Sequence, residues 1–259
     1  MLFSEQRLNQ LLLENRVGLA PMTRVSATED GRATERMTRY YRKFADGGFS
    51  FLVTEGTYPD EEYGQAYLNQ PGLATDDHVE AWKSVTDAVS DSSTPIFAQL
   101  MHAGAQTQGN IYTGGDETIA PSPVQPDREK NPAYSGEGEY PVPREATADD
   151  LDAVRAGFVR AAKHAEKAGF DGVELHAANG YLLHEFLSTA FNHRDDEYGG
   201  APANRIRFPK EVASAVREAV PEEFVVGVRI SQTAVTIEDC AWPEGEDAAR
   251  IFCSEFADA

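Results

Sequence analysis

Gly172-Val-Glu-Leu-His-Ala-Ala-Asn-Gly-Tyr181 is the stretch on which the reading of this chain turns. Residues 172–176 form a strand-like run. Around its C-terminal end stand an imidazole, a carboxamide and a phenol, in the place where parallel α/β sheets and barrels put their chemistry. His176 and Asn179 are two neutral hydrogen-bond donors three residues apart, so they can converge on one carbonyl oxygen. Tyr181, two residues further on, can supply a proton. No activated Ser or Cys nucleophile accompanies them, and the set therefore suits a reduction better than a hydrolysis. The competing reading is a histidine that only closes a strand as a satisfied structural residue.

Outward from this stretch, short apolar and β-branched runs alternate with segments of helical period. Strands are expected at 17–21, 50–55, 95–100, 172–176 and 224–230, and helices at 34–45, 76–90, 203–220 and 244–257. In the second helix Val79, Trp82, Val85 and Val89 share one face at spacings of three and four. The clearest helix follows Thr147, a capping residue. It turns Leu151, Val154, Phe158, Ala161 and Ala165 to the core and stops at Gly169. Alternating strands and helices predict a parallel sheet with right-handed crossovers. Two segments interrupt the rhythm. Residues 103–146, rich in Gly, Pro, Ser and Asp, form a long loop of the kind that serves as a lid, and 192–200 is a polar turn. No internal repeat or low-complexity segment is present.

Composition narrows the function classes. The 259 residues, 41% hydrophobic, can bury one large core. Apolar runs such as Phe51-Leu-Val53 are far too short to span a membrane. The N-terminus lacks the plan of a signal peptide, so a cytoplasmic location is expected. A net charge of -20 argues against nucleic acid and anionic membranes as partners. Six lysines against 17 arginines, with 43 acidic residues, fit adaptation to high salt, where screening relieves self-repulsion. An acidic protein from a GC-rich genome is the alternative. Cys240 and Cys253 form no C-x-x-C, so neither a disulfide framework nor a metal site is expected; both read as reduced, partly buried thiols.

Four motifs then stand in one order: Asn15-Arg-Val-Gly-Leu-Ala-Pro-Met-Thr-Arg24, Phe97-Ala-Gln-Leu-Met-His-Ala-Gly104, 169–181 and Val226-Gly-Val-Arg-Ile-Ser231. Residues 192–200 with Asn204-Arg205 add a fifth. Together they resemble the Old Yellow Enzyme family, the NADH:flavin oxidoreductases, which are FMN-dependent ene-reductases on a TIM barrel. The resemblance runs from residue 2 to about 231. It implies an α/β fold of the TIM (β/α)8 type, FMN as cofactor, NADH or NADPH as reductant, and an electrophilic alkene as the small-molecule substrate. Pro21, Met22 and Thr23 then resemble the flavin bed, with the Thr23 hydroxyl near the carbonyl at C4. Gly56 gives the backbone close approach to the ring. The resemblance implies that the Gln99 amide pairs with the N3 and O2 edge and that Arg229 sets a permanent positive charge beside N1 and O2. His176 and Asn179 are implied to bind the substrate, and Tyr181 to be the catalytic acid. Alternatives stay open: strand-end packing for Pro21 and Met22, an ordinary turn for Gly56, backbone bonding for Gln99, an ion pair with Glu55 or Glu174 for Arg229, and packing under the long loop for Tyr181. His102 reads as structural, or as a support behind the site, rather than as catalytic.

The chain also departs from the family pattern. Ala105 stands where Arg is frequent, Thr23 where a redox-tuning Cys occurs in one subgroup, Val25 where some relatives present an aromatic, and Gln232 where Pro is usual. Eight strands make the barrel and five are read here, so an incomplete barrel with about the first five βα units is expected: residues 1–259 as a single N-terminal portion, without the loops that hold the FMN phosphate. Two functions follow. One is an FMN-dependent oxidoreductase that passes hydride from NAD(P)H to an activated C=C bond of an α,β-unsaturated carbonyl. The other is a non-catalytic truncated remnant, or a subunit needing a second chain to complete the barrel. A flavin-free lyase or aldolase is disfavoured, because no Schiff-base Lys lies near a strand end.

Overall fold

Apolar residues recurring every three or four positions decide which helical faces are buried, and Thr residues ahead of them decide where two of the helices begin. The computed structural model describes residues 1–114, 117–238 and 240–259. The chain opens with an antiparallel hairpin, β1 (Gln6–Leu8) and β2 (Leu11–Leu13), then runs through β3 (Gly18–Leu19), α1 (Glu35–Asp46), β4 (Phe51–Val53), α2 (Asp76–Ser90) and β5 (Ile96–Leu100). Next come two short strands, β6 (Ile119–Ala120) and β7 (Arg144–Glu145), then α3 (Ala148–Lys167) and β8 (Gly172–Asn179). Helices α4 (Leu182–Leu187), α5 (Pro202–Arg205) and α6 (Arg207–Ala219) precede β9 (Val225–Ala234) and α7 (Glu246–Ala257).

β3, β4, β5, β8 and β9 lie side by side in that order, all parallel. Each is followed by a helix. Consecutive order with one direction of winding is that of a (β/α)8 barrel, and the five expected βα units are all present, with β3 and β9 at the edges of the sheet. α1 packs against α2 and α3 against α6 outside the sheet. The predicted faces of α2 and α3 are the buried ones: Val79, Trp82, Val85 and Val89, and Leu151, Val154, Phe158, Ala161 and Ala165. Thr75 and Thr147 close both helices with capping boxes, to His78 and Asp150. Gly169, at φ +87°, ends the turn after α3 in a conformation that favours glycine. No helix among the described residues is long and apolar enough to cross a membrane.

Several expectations need correction. The fourth strand of the sheet, β8, runs three residues past His176 to Asn179, because pairing with β9 continues through a bulge to Asn179 opposite Ala234. The helix expected at 203–220 is two, α5 and α6, meeting at Ile206. α4 and the β1–β2 hairpin, too short to show a period, are additional. Residues 103–146, of which Gly115 and Asp116 lie outside the described residues, are not structureless: β6 pairs with β7 in parallel and a 3-10 turn spans Pro132–Tyr134. Cys240 is buried as expected, but Cys253 is exposed.

Candidate active site

Alternation along β8 sorts its residues. Val173, Leu175 and Ala177 join the core under the helices, so Glu174 and His176 face the other way, into the concave side of the sheet. Register then brings neighbours to them: Gln99 on β5 lies opposite Glu174, and Arg229 on β9 lies opposite His176. Four polar side chains from three adjacent strands thus meet on one interior face.

Their hydrogen bonds set the protonation. Gln99 Nε2 donates to Glu174 Oε1 at 2.7 Å and lies 3.3 Å from His176 Nδ1. An amide nitrogen only donates, so His176 accepts at Nδ1 and carries its proton on Nε2. Burial, with Arg229 and His184 nearby, brings the His176 pKa down to about 3. The ring is therefore neutral at physiological pH, and a donor through Nε2. Its ring nitrogens are expected to keep the neutral pattern in ¹⁵N NMR spectra from about pH 8 to about pH 5; a midpoint near the ordinary histidine value would contradict this electrostatic environment.

Asn179 closes β8 with φ +63°, a left-handed conformation that Asn tolerates better than most residues. Its backbone N–H donates to Ser231 Oγ at 2.8 Å, and its carbonyl accepts from Gln106 Nε2 at 3.1 Å. Gly180 follows at φ +93°, where a Cβ would lie 2.5 Å from Gln106 Nε2, so this turn needs glycine. The turn delivers Tyr181 to the N-cap of α4, its ring centroid 5.2 Å from that of His176. Tyr181 is buried and its hydroxyl is hydrogen-bonded to the hydroxyl of Tyr67. Burial, with Tyr67 adding to it, pushes the Tyr181 phenol well above the usual tyrosine range.

Pro21, Thr23, Gly56, Gln99, Met101, His176, Asn179, Tyr181 and Arg229 together line one recess of about 100 Å³. Eight of the nine residues singled out from the sequence meet there. Met22 does not: it is 46% exposed, and only Pro21 and Thr23 of that triplet line the recess. The bonding of Gln99 is to side chains rather than backbone alone. Arg229 makes no ion pair with Glu55 or Glu174 among the described residues, although its field opposes the rise that burial imposes on Glu174. His102 is buried, accepts from Gly104 N at 3.1 Å and stands 3.5 Å from Asp60, a structural placement as read. The sequence reading missed Met101 and Tyr67. Tyr67 sits in a loop between β4 and α2, stacked edge-on against Tyr134 from the long segment at 4.9 Å, and no periodicity marks either tyrosine.

The arrangement offers a neutral imidazole donor, a carboxamide, a protonated phenol and a cation around one small recess, with no nucleophile. Among the described residues no cluster of His, Cys, Asp and Glu is placed to hold a metal ion. Comparison with known proteins agrees with this chemistry. Residues 1–252 match the family described as NADH:flavin oxidoreductase / NADH oxidase. An NADH oxidase of Thermoanaerobacter brockii is 35% identical over 96% of this chain and 37% of its own length. A probable flavin mononucleotide-dependent alkene reductase of Leishmania infantum is 36% identical over 94% of this chain and 66% of its own. The chain thus spans about a third to two thirds of the length of these relatives. Among solved structures, an old yellow enzyme homologue from Zymomonas mobilis superposes with a TM-score of 0.91 at 36% identity, covering 99% of this chain and 70% of that one. Morphinone reductase in complex with tetrahydroNAD superposes with a TM-score of 0.88 at 32% identity, over 98% and 70% of the two chains.

Proposed function

This chain belongs to the NADH:flavin oxidoreductase / NADH oxidase family, and on that premise we propose that its recess is the ring-binding and substrate half of an FMN-dependent ene-reductase acting on α,β-unsaturated carbonyl compounds. One observation carries the reading: a neutral donor, a carboxamide and a protonated phenol converge on the recess that Gln99 and Arg229 also line. FMN held there would supply a hydride taken from NADH or NADPH.

The residues present fit that group. Both contacts of Gln99 Nε2 are already made with Glu174 and His176, so its Oε1 would be the atom left to accept from the flavin ring. The donor role would fall to Arg229, whose fixed charge would also favour an electron-rich reduced ring. Pro21 and Thr23 supply a wall, and Gly56 a site without a side chain. His176 Nε2 and the Asn179 amide donate to the substrate carbonyl oxygen and stabilise the negative charge that grows on it. Tyr181 delivers the proton to the carbon next to that carbonyl.

A non-catalytic remnant is the weaker reading, since the acid, both donors and the cation are assembled intact. The sheet edges at β3 and β9 support a further segment or second chain pairing there. The -20 charge supports a cytoplasm of high salt. The test is reconstitution with FMN under anaerobic conditions: NADH or NADPH bleaches the flavin spectrum, and a cyclic enone restores it with formation of the saturated ketone. Reoxidation by dioxygen but not by any enone would overturn the ene-reductase assignment.

A further inference from the structure

Glu55 follows β4 by two residues, directly before the Gly56 of the recess, and is only 1% exposed. A carboxylate this deep needs a reason. Its Oε2 accepts two consecutive backbone N–H groups, Arg24 at 2.8 Å and Val25 at 3.1 Å. Successive N–H groups converging on one anion form a nest. The backbone so held is strained: Val25 has φ +43°, a left-handed conformation that a β-branched residue adopts only when its surroundings enforce it. Val25 packs on the cluster that contains Tyr67, Met101 and Tyr181, while Thr23 and Pro21, just upstream, form one wall of the recess. Glu55 Oε1 is buried and has no hydrogen-bond partner among the described residues. The purchase behind the clamp is α1: the Glu55 backbone N–H donates to Tyr41 Oη at 2.9 Å, and Arg24 lies over the Tyr40 ring at 4.7 Å.

We propose that Glu55 is a positioning residue whose carboxylate holds the Thr23–Val25 turn in its strained shape, and thereby sets the wall against which the flavin ring lies; protonation of Glu55 releases that wall. The part that concerns the flavin rests on the function proposed above. The groups that bear on the carboxyl are Arg24 and Arg36, whose charges favour ionisation, with the Arg24 and Val25 N–H groups, and the phenols of Tyr40 and Tyr41. Burial outweighs these and raises the Glu55 pKa to about 7. The native state therefore keeps its proton on Glu55 below that pH and ionises it above. The clamp is closed on the alkaline side and opens as the pH falls through neutrality.

The test combines an amide titration of the ¹⁵N-labelled full chain with FMN affinity measured by equilibrium dialysis, in wild type and in Glu55→Gln, which keeps the shape and removes the titration. In wild type the Arg24 and Val25 amide resonances are expected to move together with one midpoint near pH 7. FMN affinity, if it follows the ionised fraction, is expected to fall about tenfold between about pH 8 and about pH 6. Both dependences should vanish in Glu55→Gln. Amides that stay still across this range overturn the clamp. So does an FMN affinity that is the same at both pH values while the amides titrate. If Glu55→Gln fails to fold, the wild-type profiles alone decide. Titrating amides with no FMN binding at either pH would support the clamp and count against the flavin reading instead.

Discussion

Replacing Tyr181 by Phe in the FMN-loaded enzyme is expected to slow enone reduction by about 10²- to 10⁴-fold, the usual contribution of a positioned general acid, and to leave reduction of the flavin by nicotinamide unchanged. The change removes one oxygen from a buried ring, so packing is conserved. On the proposed function, what is lost is a proton source held ready. Burial and the neighbouring Tyr67 keep the phenol protonated far above neutral pH, so it donates without prior activation. The hydroxyl is not free to wander, because Tyr67 is hydrogen-bonded to it. Stopped-flow measurement of the two half-reactions separates the effects. Equal slowing of both would mean that the substitution disturbs the flavin or the fold, and the acid would have to be sought elsewhere.

His176→Ala is expected to cost about 10²- to 10³-fold in turnover with enones, the effect of deleting one preorganised donor to a developing oxyanion. It should also weaken the binding of simple phenols and diminish their long-wavelength charge-transfer band, with flavin content retained. The direction follows from the geometry. The Gln99 contact at Nδ1 leaves Nε2–H as the donor, and burial beside Arg229 keeps the ring neutral, with a pKa near about 3. A neutral donor at this site does not titrate in the working range, so phenol affinity should show no inflection from this residue between about pH 5 and about pH 8. Asn179→Ala should share the phenotype, since both side chains line the same recess. Unchanged phenol affinity in His176→Ala would remove the pair from the site.

Much of the site was legible before any coordinates, for a chemical reason. His176, Asn179 and Tyr181 lie within six residues along the C-terminal half of one strand and the turn after it, and Gln99 and Arg229 stand on its two neighbours, in register with Glu174 and His176. In a parallel sheet the C-terminal ends of all strands open on the same side, so residues at those ends meet without knowledge of the loops. Met22 lies past the end of β3, where alternation no longer dictates direction; it is exposed and is not among the residues that line the recess. The Gln99 donor looked available to a flavin in one dimension, whereas in three its hydrogens go to Glu174 and His176.

The order of strands and helices, the capped starts of α2 and α3, and the apolar faces of both were determined by the sequence itself, because spacing and caps are local properties that neighbours along the chain settle. What only the tertiary structure decided joins residues far apart. Tyr67 reaches Tyr181 across 114 positions. Glu55 reaches back 30 and 31 positions to hold Val25 and Arg24. Neither link leaves a period, a motif or a composition bias in the chain, since a loop's path is set by what it finally packs against. The protonation of the site belongs to the same class. His176 and Tyr181 acquire their shifted acidities from burial, and burial is a property of the assembled sheet and the loops folded over it.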